Sequence, residues 1–165
     1  MNAFGTIAST GTIRFERSCP GPIERVWNHL TRPDLLATWL ANGEIQLRVG
    51  GYVELHFDAI AGLGHARSSP AISGVVTHCH PPDSLAFYWT DASTISNVIF
   101  ELELRTADVL LLLTHAQLPK SVLSVCSASW HAHLDILGER LRNRPSSSFP
   151  AVYESVRPHY EKEGA

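Results

Sequence analysis

Ile13 and Phe15 alternate with Thr12, Arg14 and Glu16, a period of two that predicts a half-buried strand. Cys19-Pro20-Gly21-Pro22 stops it, and Pro22 suits a helical first turn, where its missing N–H costs nothing. Ile23, Val26, Trp27 and Leu30 then share one face at helical spacing. Thr31-Arg32-Pro33 breaks that helix and opens a second short one, from Pro33 to Leu40, with Leu35, Leu36, Trp39 and Leu40 as its apolar side. The period returns to two at Ile45, Leu47 and Val49. Gly50-Gly51 is a turn signal, and Val53, Leu55 and Phe57 complete a predicted hairpin. Residues 59 to 70 are rich in glycine and serine and predict a mobile loop.

Four more strands follow. Ala71 to His78 is ended by Pro81-Pro82-Asp83. Leu85, Phe87 and Trp89 alternate, as do Val98, Phe100, Leu102 and Leu104. Val109 to His115 is apolar on both faces. From about Ser121 to Asn143 the period is helical, and Leu123, Cys126, Trp130, Leu134, Leu137 and Leu141 form one stripe. Beyond Arg144-Pro145-Ser146-Ser147-Ser148, the residues Phe149, Val152, Tyr153, Val156 and Tyr160 keep helical spacing, and Pro158 limits that segment to about two turns. Short turns between strands make the sheet antiparallel. The expectation is an α+β helix-grip fold: a curved seven-stranded antiparallel sheet wrapped around a long C-terminal helix, with two short helices between strands one and two. Residues 1–10 form a loose N-terminal segment, 11–143 the domain, and 144–165 a linker and short docking segment.

Composition narrows the function classes. The chain has 165 residues, 44 % of them hydrophobic and 18 % charged, which suits one globular domain. A net charge of -3 and thirteen scattered basic residues leave no cationic footprint for nucleic acid. The N-terminus lacks the pattern of a secretory signal. The longest apolar block, Val109 to Leu113, is far short of the roughly 20 residues that span a bilayer. Cys19, Cys79 and Cys126 are odd in number and widely spaced, as free thiols of a cytoplasmic protein would be.

Thr77-His78-Cys79-His80-Pro81-Pro82-Asp83 is the densest cluster of metal-ligating residue types. On a strand His78 and His80 share one face and Cys79 takes the other, so the three cannot converge tetrahedrally on zinc. Asp83, past the turn, is the nearest third ligand for the two histidines. His131 and His133 cannot chelate together from one helix, because positions i and i+2 diverge. No metal and no cofactor is called for, and no nucleophile elbow, zinc-protease or nucleotide-loop motif occurs.

Order and spacing carry a resemblance. Its pieces are Pro22-Ile23-Glu24-Arg25-Val26-Trp27, Pro33 with Trp39-Leu40, and Arg48-Val49-Gly50-Gly51. Pro81-Pro82 with Leu85 and Trp89, Leu113-Thr114-His115 with Leu118-Pro119, and Trp130 with Leu134 and Leu137 complete it. Together they resemble the SRPBCC or START-like helix-grip superfamily, and within it the homologues of the activator of the ninety-kilodalton heat-shock-protein ATPase. Ser129 stands where that family commonly has Gly, and Arg32 where it often has Asp. The family carries no catalytic signature, so the resemblance implies a fold and a cavity rather than a reaction.

A helix gripped by a curved sheet leaves a cleft between them. Its strand-side candidates are Leu55, Phe57, Phe87, Trp89, Phe100, Leu102 and Leu113. Its helix-side candidates are Trp39, Leu123, Cys126, Trp130 and Leu134, with His133 at the mouth. Such a lining suits a small hydrophobic or aromatic molecule. Recognition of a chaperone or other protein partner is the alternative, through the Trp39 helix or the 59–70 loop, and a homodimer stays open. The third reading is a cyclase- or hydrolase-like enzyme using the same cavity, with His133 or His115 as acid or base. The balance leans away from an enzyme, because no sequence-readable partner orients either histidine.

Overall fold

The computed structural model describes residues 4–57, 71–91 and 94–164. They form an eight-stranded antiparallel sheet in the order β1-β2-β8-β7-β6-β5-β4-β3. The strands are β1 (Thr6–Ala8), β2 (Thr12–Cys19), β3 (Asn42–Ile45), β4 (Tyr52–His56), β5 (Ala71–His80), β6 (Ser84–Thr90), β7 (Ile95–Leu104) and β8 (Val109–Ala116). Helices α1 (Ile23–Thr31) and α2 (Pro33–Leu36) connect β2 to β3, while α3 (Leu123–Leu141) and α4 (Phe149–Glu163) follow β8. The sheet is curved and unclosed, and α3 lies against its inner face, as the alternating apolar strands require.

Strand register makes the inner face continuous. Phe15 stands opposite Leu113, Leu113 opposite Phe100, and Phe100 opposite Leu85, so one buried row crosses four strands. The neighbouring row is Ile13, His115, Val98, Phe87 and Val76. Every residue in both rows is buried. Each large apolar side chain so placed contributes roughly 1.5–3 kcal/mol relative to exposure.

Several elements depart from the sequence pattern. The sheet has eight strands instead of seven, because Thr6–Ala8 pairs with β2, in a segment expected to be loose. Gly11, at φ 78, makes the turn, and a Cβ there would meet the Leu118 carbonyl oxygen at 2.3 Å. The second helix stops at Leu36 instead of Leu40. Strand β3 ends at Ile45, because the chain turns over 46–51 and docks the Gly50 N–H on the Val76 carbonyl at 2.8 Å. Leu47 and Val49 are therefore exposed rather than alternating inward. Helix α3 begins at Leu123, after a 3-10 turn, Lys120–Val122. The 59–70 loop lies outside the described residues.

The C-terminal segment differs most. Helix α4 runs for 15 residues and passes through Pro158. That proline is exposed, whereas Val156 and Tyr160 on either side of it are buried, so packing against α3 compensates the lost backbone bond. Ser148 caps the helix by accepting from the Ala151 N–H at 3.4 Å. Tyr160 is fully buried. Its Oη donates to His131 Nδ1 at 2.8 Å and accepts the Gly5 N–H at 2.9 Å. His131 Nε2 faces Asp135 at 3.3 Å, and Arg17 reaches the same carboxylate at 3.5 Å. Phe4 packs against His159 with ring centroids 3.9 Å apart and the rings tilted. One phenol thus holds both chain ends to α3.

Tyr160→Phe removes the hydroxyl and leaves the Gly5 N–H and His131 Nδ1 without a partner. A loss of about 1–3 kcal/mol of unfolding free energy is expected in urea titrations. An unchanged urea midpoint would show that the clasp does not contribute to stability.

Candidate functional site

Trp130 on α3 points at the inner face of the sheet. Its indole N–H donates to His115 Nδ1 at 3.0 Å. That bond requires Nδ1 to be unprotonated, so a neutral His115 carries its hydrogen on Nε2 and donates it to Ser96 Oγ at 2.7 Å. Ser96 in turn donates to the Trp89 carbonyl at 3.2 Å. Burial holds the His115 pKa down to about 4, against a smaller opposing pull from Asp91. This histidine is neutral and fully engaged, which suits a structural anchor rather than an acid or base.

His133, three residues on, lies on another side of α3. Its Nδ1 meets the Trp39 carbonyl at 2.8 Å, and the carbonyl can only accept. Nδ1 therefore carries the hydrogen, and the neutral ring presents Nε2 as a lone-pair acceptor. Burial lowers this pKa to about 4 as well, opposed by the bond to Trp39. Nε2 makes no hydrogen bond among the described residues. His133 is only 8 % exposed, so it stands inside the packed region rather than at an open mouth.

Four rings close a circuit around this point. Centroid distances are 5.7 Å for Phe57–Trp89, 5.5 Å for Trp89–Trp130, 6.3 Å for Trp130–His133 and 6.0 Å for His133–Phe57. Phe149, from the start of α4, covers His133 at 4.4 Å. Phe100 and Phe87 continue the cluster into the core, at 6.0 Å from Trp130 and 6.5 Å from Trp89. Phe57, Trp89, Cys126 and Phe149 are half-buried, so the circuit lies where the core meets its rim.

The other expected cleft residues divide by depth. Leu55, Phe87, Phe100, Leu102, Leu113, Leu123 and Leu134 are all buried in the core beneath or beside the circuit. Trp39 is buried too, its indole N–H donating to the His29 carbonyl at 2.7 Å, so it offers no exposed patch to a partner. The Cys126 thiol is pushed up to about 12 by burial, with Asp91 adding to the shift, which disfavours a nucleophile. The His-Cys-His stretch is a strand end: His78 Nε2 meets Ser84 Oγ at 2.7 Å, and His80 pairs with Asp83 at 3.2 Å in the open. Among the described residues no three metal-ligating side chains converge. An open depression of about 330 Å³ lies on the outer face, lined by Pro33, Gly43, Glu44, Tyr52, Glu54 and His56.

A family model described as activator of Hsp90 ATPase homolog 1-like protein matches residues 20–142. The chain belongs to that family. Its architecture is the SRPBCC helix-grip fold, commonly a ligand-binding or polyketide cyclase-like domain. The family match stops just past α3, so α4, which supplies Phe149 and Tyr160, lies beyond it. A Bordetella parapertussis protein solved by NMR is 32 % identical, with a TM-score of 0.81, over 98 % of this chain and 90 % of its own. CalU16 from Micromonospora echinospora shares the fold at 22 % identity and a TM-score of 0.74, covering 98 % of this chain and 94 % of that one. An Aha1 dimer from Colwellia psychrerythraea does so at 18 % and 0.64, covering 79 % and 95 %. No curated protein matches the chain. No helix among the described residues is long and apolar enough to cross a membrane.

Ser96 and Phe149 are absent from the sequence-derived lining. Ser96 carries no motif, since its importance comes from standing beside His115 across β7 and β8. Phe149 was legible as part of a docking helix, but not as the cover of His133.

Both neutral histidines tie stability to pH. The unfolded chain protonates them near pH 6.5, while the folded state keeps them neutral down to about 4. Their contribution is full above pH 6.5 and is lost as the pH falls towards 4, by on the order of 3 kcal/mol for each ring. Urea titrations between pH 7 and pH 4 should show this loss, and a His115→Gln variant should show a shallower dependence. Parallel curves for the two proteins would refute the assignment.

Proposed function

We propose that the protein binds a small hydrophobic or aromatic molecule between the inner face of the sheet and α3. The observation that carries this reading is the circuit of Phe57, Trp89, Trp130 and His133, whose outer members are half-buried. A helix-grip core needs apolar filling, but it does not need four rings gathered at its rim. Stacked or edge-on contacts with an aromatic guest contribute about 0.5–1.5 kcal/mol each beyond the area they bury. The SRPBCC fold of the family supports the same location. Free cysteines Cys19, Cys79 and Cys126 suit a reducing, cytoplasmic setting.

A second reading is recognition of a protein partner, a chaperone or a second copy of the chain. Exposed apolar side chains on the outer face favour it: Tyr52 stands opposite Val75 across β4 and β5, and Tyr88, Leu47 and Val49 are exposed as well. An enzymatic role would draw on His133 as an unprotonated base oriented by the Trp39 carbonyl.

Naphthalene titrated into the protein should quench tryptophan fluorescence saturably. Phe57→Ala removes one side of the circuit at a half-buried position, where the fold tolerates it, and should weaken binding by roughly ten-fold. Absence of saturable quenching, or equal affinity in the variant, would sink the ligand-binding reading. Sedimentation at rising protein concentration separates the second reading, which expects self-association or a captured partner, from the first, which needs neither.

A further inference from the structure

The buried histidines on and around α3 are not equivalent. His115 engages both ring nitrogens, with Trp130 and Ser96. His131 engages both as well, with Tyr160 and Asp135. His133 engages only Nδ1, and its Nε2 faces away from the Trp39 carbonyl with no partner among the described residues. That nitrogen is not sealed off, so water or a ligand can reach it. His29 shares that pattern, bonding through Nδ1 to the Arg25 carbonyl, but its imidazole is not part of the ring circuit. At His133 the open acceptor stands in the ring circuit, flanked by Phe57 and Trp130.

That combination specifies a ligand. Its body must be flat and apolar to lie against Phe57, Trp89 and Trp130. Its polar group must donate a hydrogen. An ionised acid has none to give and would be repelled by Asp91, whose charge already acts on His115 and Cys126. A hydroxyl on an aromatic ring meets both demands.

We infer that the ligand carries a phenolic hydroxyl, which donates its hydrogen to His133 Nε2 while the aromatic body lies in the ring circuit; this rests on the ligand-binding reading above.

The test compares 2-naphthol with 2-methoxynaphthalene, which has the same body and can accept but not donate. Calorimetry or fluorescence quenching on the wild type at neutral pH should show 2-naphthol binding about ten-fold more tightly, the worth of one hydrogen bond to a buried acceptor. His133→Phe, which keeps the ring and drops both nitrogens, should bind the two probes equally while still holding the methoxy compound. A second measurement needs no variant: in protein labelled with ¹⁵N-histidine, the unprotonated Nε2 resonance of His133 should move upfield as 2-naphthol is added. Equal affinities in the wild type, an unchanged preference in His133→Phe, or an unmoved Nε2 resonance under saturating 2-naphthol would each overturn the inference while leaving the apolar site standing. Failure of both probes to bind would overturn the site as well.

Discussion

His115 is a polar residue in an otherwise apolar row of the sheet, between Ile13 on one side and Val98 on the other. His115 is almost fully buried and bonds through both nitrogens, of which the sheet alone supplies only one partner, Ser96. The second partner has to come from the layer above, and it is the Trp130 indole. This bond fixes the rotation of α3 about its own axis. With successive residues about 100° apart, His131 must then fall to one side of Trp130, and His133 about 60° to the other. Each histidine meets a different neighbour as a result, His131 the terminal clasp and His133 the ring circuit.

Once α3 is set, it cannot remain amphipathic. Its buried residues, among them Ala128, His131, Ala132, His133 and Ile136, extend well beyond the stripe that faces the sheet. A helix apolar over so much of its circumference must be covered again. Helix α4 supplies the cover, and Tyr160 gathers the N-terminal strand into the same layer through Gly5. The arrangement is sheet, long helix, second helix, with the polar clasp of Tyr160, His131, Asp135 and Arg17 at one side.

The candidate site inherits its chemistry from the same packing. Trp39, itself anchored to the His29 carbonyl, presents its own carbonyl to His133 Nδ1 and decides which nitrogen is left open. Burial keeps the ring uncharged near neutral pH. The resulting lining is aromatic, with neutral His133 as an open acceptor, and Phe149 of α4 covers it from the side beyond the family match. Such a surface offers aromatic faces and one open acceptor.

Alternation along Leu85–Phe87–Trp89 and Val98–Phe100–Leu102 was enough to place the inner face, and the Leu123–Leu141 stripe was enough to place the helix upon it, because period two and period 3.6 each expose one side of a backbone whatever its surroundings. The tryptophans and phenylalanines of the circuit could be named for the same reason. The state of the histidines could not. His133 takes its orientation from a backbone carbonyl 94 residues away, which leaves no mark in the side-chain pattern. Thr6–Ala8 and the turns of α4 beyond Pro158 were misjudged because short polar segments and prolines carry weak local propensities. Long-range contacts, through Gly5, Val156 and Tyr160, overrule those propensities. Local periodicity writes the layers of this protein, and distant partners decide which nitrogen of His133 stays open.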